Sequence, residues 1–347
     1  MWSLKLMQPV SAGRLLLFSV VLLITPTFVF AASASPACPK IMEFSGEQRA
    51  NDAKDPALDG RVLLFYWSQL EPQQEVFDFS ALDAQAKVWS TAGKSIAIRV
   101  STAGWKKWMP PYSQSGTPAW VYQKYHLRSV TEIDGAVIPV YWDPGYVEAF
   151  GAFLHQLDTH LLGAPYRSSI TFIEIGIGDG GETKPDTEQN KDKDQQAARL
   201  ALWQSVGYTG STWFTTIENI TKTYQKQLGN FPLALMPDGT FLGGTCGLAD
   251  GVKCNEAIIV ALANSEGLLL QDNGFLRDRT YSPEWLKKRP LIAEQRNAAQ
   301  ANGYPLKDDL NRARSLGVDW LLLFQKDLDV PEFKQQLVDF RAGCRTN

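Results

Sequence analysis

The chain is poor in the residues on which several chemistries depend. It has three histidines, His126, His155 and His160, at spacings that make no metal-binding pattern. No G-x-S-x-G stretch occurs, which excludes a nucleophile elbow of the α/β-hydrolase kind. The four cysteines include no C-x-x-C pair, so no zinc or thioredoxin-like motif is present. Positive charge is not in excess: the net charge is −3, which leaves no basic footprint for a nucleic acid. After the first few dozen residues no apolar run approaches membrane-spanning length, and no internal repeat is visible.

What is present begins with a leader. Lys5 and Arg14 precede an apolar run broken by Pro26 and closed by the small residues Ala32-Ser33-Ala34. This is the pattern of a secretory signal peptide spanning residues 1–34, and it predicts a secreted or periplasmic protein with no membrane span after cleavage. Residues 35–347, about 310 in number, suit one α/β barrel domain. An even number of cysteines fits an oxidising compartment. The expected pairs are Cys38 with Cys344, near the two mature termini, and Cys246 with Cys254, across a short loop.

Apolar runs of strand length recur at 40–44, 61–67, 95–101, 169–177, 231–237, 267–273, 290–295 and 318–324. Most are continuous instead of alternating, as parallel strands buried on both faces require. Amphipathic stretches lie between them. One runs from Ser80, the expected N-cap, to Gly93; another places Tyr146, Phe150, Phe153, Leu154 and Leu157 on one helical face. Strand and helix alternate eight times, which predicts a (β/α)8 TIM barrel. Long loops follow the third strand (102–143, rich in Trp, Pro and Tyr) and the fourth (183–196, polar and charged). Both lie on the barrel face where active sites are built. The second loop carries Asp186, Asn190, Asp192 and Asp194 at no calcium-loop spacing, and reads as solvated.

The fourth strand and its loop, ITFIEIGIGDGGE, hold Glu174, Asp179 and Glu182 among glycines. A phosphate cradle would need a lysine and a Ser or Thr there, and acids repel phosphate. The sixth strand supplies Asp272 and Asn273, and the seventh ends on Glu294 with Arg296 close behind to keep it ionised. Acids at the ends of strands four and seven face each other across a barrel mouth. Two facing carboxyls are what glycosidic cleavage needs. Glu174, in mid-strand, calls for a buried partner, and Arg99 on the neighbouring strand supplies one. Glu71 reads as a loop anchor.

The segment WSQLEPQQEVFDFSALDAQAKVWSTAGKSIAIRV (67–100) resembles the second barrel unit of family 42 glycoside hydrolases, the β-galactosidase-type members of clan A. Trp67, Leu70, Glu71, Pro72, Phe77, Asp78, Phe79, Ser80 and Asp83 carry the match, and the likeness extends over roughly residues 58–182. The resemblance implies a retaining glycosidase that needs no metal or organic cofactor and acts on an oligosaccharide or polysaccharide. It implies a nucleophile at Glu294. The implied acid/base belongs to an Asn-Glu pair ending strand four, but here Ile177-Gly178 stand in that place. Glu182 is the nearest acid, either as the acid/base reaching back through a glycine-rich loop or as a solvated loop residue. The Gly-Gly-Glu ending is similar to that of uncharacterised β-galactosidase-like barrels. Substrate-binding expectations fall on Trp105, Trp120, Trp142, Asp179, Asp272 and Asn273, with Trp67 assigned to the core. The alternatives are a saccharide-binding barrel that has lost its strand-four acid/base, and a scaffold acting through the 102–143 loop.

Overall fold

Eight parallel strands close on themselves in the computed structural model, which describes residues 37–44, 49–103, 115–131, 135–185, 193–237, 256–287 and 289–345. They are β1 (Lys40–Phe44), β2 (Gly60–Tyr66), β3 (Ser95–Ser101), β4 (Ile170–Glu174), β5 (Leu233–Leu235), β6 (Leu269–Phe275), β7 (Leu291–Gln295) and β8 (Trp320–Phe324). Each pairs with its sequence neighbour, and β1 closes on β8 in the register Lys40 to Trp320. The continuous apolar runs have the expected cause. Met42, Val62, Phe172, Ile292, Trp320 and Leu322 fill the barrel interior, while Leu63, Phe65, Ile98, Ile173 and Leu321 pack outward under the helices.

The helices follow local signals. α1 (Ser80–Thr91) begins one residue earlier than its expected cap allows: Ser80 is already helical, and its N–H donates to Asp78 Oδ1 at 3.0 Å. Asp78 is therefore the local acceptor, and Gly93 follows the helix at φ +70°. α2 (Pro144–Gly163) starts with Pro144 after Asp143, whose carboxylate accepts from Gly145 N at 3.1 Å. Its face of Tyr146, Phe150, Phe153, Leu154 and Leu157 is buried as the spacing predicts. α3 (Lys193–Ser205), α4 (Gly210–Leu228), α5 (Glu256–Ser265), α6 (Leu306–Leu316) and α7 (Pro331–Arg345) complete the main set.

Trp67 is fully buried against Tyr146, Phe150 and Phe153. Its indole N–H donates to Glu71 Oε2 at 2.9 Å, while Glu71 Oε1 accepts from Glu75 N at 3.1 Å. Glu71 thus pins the loop after β2, as its position suggested. The long loop after β3 has structure of its own: a helix at Ala119–Tyr125 and an antiparallel pair, Ser129–Thr131 with Val137–Pro139. Among the described residues no helix is long and apolar enough to cross a membrane.

Cys38 and Cys344 are disulfide-bonded, with Cα atoms 5.8 Å apart. The proposed leader, Trp105, most of the acidic loop after β4 and the Cys246–Cys254 pair lie outside the described residues. The Cys38–Cys344 bond ties the strand that opens the barrel to the helix that closes it, across a sequence separation of 306. Cross-links over long loops restrict the unfolded chain most. A Cys38→Ser variant is expected to lose about 2–5 kcal/mol of stability in equilibrium denaturation, with the barrel's circular dichroism retained at low denaturant.

Candidate active site

A two-residue period raises polar side chains above the apolar layer. Ala97, Phe172, Leu269 and Ile292 belong to or pack on the interior cluster. Two residues on, toward the C-terminal end of the same strands, stand Arg99, Glu174, Gln271 and Glu294. Arg99 and Glu174 are register partners on adjacent strands. The Arg99 guanidinium bonds Glu174 through Nε and Glu294 through Nη2, and lies 4.7 Å over the Phe44 ring. Gln271 Nε2 donates to Glu294 Oε2 at 3.2 Å. The triad is buried: Arg99 is 3%, Glu174 0% and Glu294 5% exposed.

One cation therefore serves two buried carboxyls. Burial pushes Glu294 up to about 8; Arg99 pulls the other way, while Glu174 and Glu182 add to the rise. Burial likewise raises Glu174 above the carboxylate range, opposed by Arg99 and Gln271. Burial works against the Arg99 charge, but the two carboxylates outweigh it and hold the guanidinium protonated.

The glycine loop folds over this triad. Gly180 and Gly181 adopt φ +64° and +86°, a region that disfavours other residues. A Cβ at Gly181 would stand 3.1 Å from Met236 Cε and 3.6 Å from Arg99 Cδ, so the loop lies close over both side chains. Gly178 N donates to Glu182 O at 2.9 Å, and Asp179 N to Lys184 O at 3.0 Å. This turn carries Glu182 back to the mouth, where its carboxylate meets Lys184 Nζ and accepts from Asn273 Nδ2 at 3.2 Å. Gln271 Nε2 also donates to Asn273 Oδ1 at 2.9 Å. Glu182, Asn273, Gln271 and Glu294 thus form one hydrogen-bonded chain. The same turn closes position 178: a Cβ there would stand 1.8 Å from the Lys184 carbonyl oxygen. No acid fits where the family 42 pattern has one.

Other expected residues are placed differently. Asp272 is buried and faces away from the mouth. It accepts from Gly274 N and Tyr281 OH, each at 2.9 Å, and pairs with Arg279 at 2.8 Å, as strand alternation requires once Gln271 and Asn273 point inward. Arg296 is exposed, so Arg99 takes the role expected of it beside Glu294. Trp120 packs edge-on against Trp67 and donates to Glu71 O at 3.3 Å; Trp142 packs against Trp203 and Trp213. Both serve packing. Asp179 is buried near Tyr66, whose hydroxyl is raised by burial and then by that carboxylate. Gln271 was missed, although its parity with Asn273 was the signal.

The rim is asymmetric. β4, β6 and β7 contribute acids and amides, whereas β8, β1 and β2 contribute Phe324, Phe44 and Leu64. Phe44 and Phe324 pack edge-on at 5.4 Å. Leu64 shares its inward parity with Val62 and is register partner of Arg99, yet is 38% exposed, so solvent reaches into the mouth beside the triad.

The raised carboxyls carry a stability consequence. Solvated glutamate titrates at 4.5, but the Arg99-linked pair keeps a proton up to about pH 8. This contribution to stability is fully present below the unfolded value and is lost as pH rises through the folded one. Glu43, raised to about 7 by burial despite Arg61, acts in the same direction. Glu294→Gln leaves one carboxylate on Arg99 and no proton to lose. Its melting temperature should therefore fall less than that of wild type between about pH 6 and pH 9, measured by calorimetry.

A sequence profile of the β-galactosidases of glycoside hydrolase family 42 matches residues 60–136. A search of curated protein sequences found no match. In three dimensions the chain is similar to a catalytic mutant of a GH42 β-galactosidase from G. stearothermophilus (TM-score 0.52, 12% identity, 89% of this chain and 57% of that one). It is also similar to a β-galactosidase from Bacillus circulans sp. alkalophilus (0.53, 10%, 89% and 56%). An exo-β-1,4-mannosidase from Opitutaceae bacterium strain TAV5 gives 0.50, 12%, 91% and 61%. The chain spans less than two thirds of the length of each of these proteins, and at such identities the likeness speaks for the fold. Profile and fold agree: the chain is a (β/α)8 barrel that resembles the family 42 β-galactosidases and related clan A glycoside hydrolases.

Proposed function

We propose that this protein is an exported glycoside hydrolase that cleaves a glycosidic bond with retention, using Glu294 as nucleophile and Glu182 as acid/base. The observation that carries the reading is the hydrogen-bonded chain from Glu182 through Asn273 and Gln271 to Glu294, set opposite an apolar rim. Both donors to Glu294 engage Oε2, which leaves Oε1 for attack on the anomeric carbon. Glu182 protonates the departing oxygen, then as carboxylate takes a proton from the water that opens the glycosyl ester. Its contact with Lys184 favours the ionised form, so the ammonium has to withdraw before Glu182 can donate. The apolar face of a sugar ring suits Phe44, Phe324 and Leu64. The chemistry requires no metal or organic cofactor.

A second reading, a saccharide-binding barrel without turnover, draws its support from Gly178, where no side chain fits. An aryl-glycoside panel separates the two. Glu294→Gln should lower turnover at least ~10³-fold on the substrate that wild type cleaves. Glu182→Gln should cost about 10²–10⁴-fold on glycosides with poor leaving groups and far less on activated aryl glycosides. Undiminished turnover in Glu294→Gln removes that residue from the mechanism. Oligosaccharide binding by wild type without cleavage supports the second reading. Proton NMR of the first-formed anomer tests retention.

Export rests on the leader pattern and agrees with the Cys38–Cys344 bond. Intact-mass analysis of protein recovered outside the cytoplasm should show a mature chain beginning just after Ala34. A full-length chain retained in the cytosol would contradict this.

A further inference from the structure

Two buried carboxyls on one guanidinium leave a net charge of −1 if both are ionised. An uncompensated charge in such a place is costly, and one proton on either carboxyl removes it. The surroundings of the two carboxyls are unequal. Glu294 accepts from two donors, Arg99 and Gln271, both at Oε2. Glu174 accepts from Arg99 at Oε2, while its Oε1 is buried with no hydrogen-bond partner. The Gln271 amide also favours the Glu174 carboxylate, so the two carboxyls differ chiefly in the bare Glu174 Oε1; Gln271 Oε1 is likewise buried without a donor.

Each donor stabilises a carboxylate, and a bare, desolvated carboxylate oxygen is the least stable place for charge. A proton on Glu174 Oε1 removes that charge and supplies an O–H where acceptors outnumber donors. Among the described residues, no other element packed against the pair brings a further cation to it. β2 contributes Tyr66, β5 contributes Ala234 in register with Glu174, and α4 contributes the neutral Tyr224. The glycine loop adds two acids, Asp179 and Glu182, with Lys184 already paired to Glu182.

We propose that Glu174 is a positioning residue that stores one proton on Oε1, so that Glu294 remains ionised between Arg99 and Gln271. The claim rests on Glu294 being the nucleophile of the proposed reaction, and it explains how a carboxyl this deeply buried serves as one. Carboxyls that share a proton titrate as a pair, and in this pair the bare Glu174 Oε1 is the place for the last proton.

Neutron diffraction from deuterated wild-type crystals at near-neutral pD reads the proton's location directly. A deuteron on Glu174 Oε1 with none on Glu294 is expected; a deuteron on Glu294, or on neither, overturns the proposal. Glu174→Gln is isosteric with the protonated acid. Its kcat/KM near neutral pH should stay within about tenfold of wild type, and the ionisation near pH 8 should vanish from its pH–rate profile. A larger rise would mean the proton had been on Glu294, and a larger loss in a variant that melts like wild type would mean Glu174 is needed ionised; either result overturns the proposal. The neutron map does not depend on turnover. Wild type that carries the Glu174 deuteron but cleaves no glycoside would refute the hydrolytic reading and leave the proton assignment standing.

Discussion

A guanidinium held under a barrel mouth has to find its counter-charges within reach of one strand register, and Arg99 finds two. Glu174 comes from the adjacent strand in direct register, and Glu294 from across the interior. Because the layer below is apolar, water does not dilute these contacts, and the same exclusion makes any surplus charge costly. Most features of the site follow. The ends of β3, β4 and β7 are drawn to one point, the carboxyls are pushed to hold a proton, and the glycine loop lies close over the arginine stem at Gly181.

The loop is the second constraint, and it depends on the first. Lying close over Arg99 and Met236, it turns sharply at Gly180 and Gly181 and brings Glu182 to Asn273. The same backbone hydrogen bonds occupy the space in which a side chain at 178 would stand. The site therefore differs from the family 42 pattern at the end of strand four, where backbone fills the place a side chain would take and the nearest acid, Glu182, stands on the loop. A charged rim on one side and Phe44, Phe324 and Leu64 on the other make a mouth suited to a ligand with one hydroxylated edge and one apolar face.

Much of the fold was legible because it depends on burial on both strand faces. Eight apolar runs, most of them continuous, separated by amphipathic stretches leave few arrangements other than a closed parallel barrel, and β1, β3 and the buried face of α2 match their expected residues. The boundaries of β4 and β5 were less legible. Apolar residues on either side are buried by loops and helices, so hydrophobicity alone does not mark where the ladder ends. In the site, Glu174 with Arg99 and Glu71 as an anchor could be read from strand neighbours and spacing. Asp272 and the tryptophans could not. An acid after an apolar strand and a tryptophan in a long loop look the same in sequence whether they face a ligand or a packing cluster.

Unaided, the order of residues determined the class of architecture, the strands that carry acids and the cysteines able to join the two ends of the barrel. These are set by local periodicity and by composition, which act along the chain. Only the folded molecule decided which of two neighbouring residues, Gln271 or Asp272, looks into the barrel. It alone decided that Arg99 and not Arg296 meets Glu294, and that Glu182 returns to the mouth. Those choices depend on strand parity, on register across the closed sheet and on a turn packed against a distant side chain. Each is a relation between segments far apart in sequence, and none is encoded in any one of them.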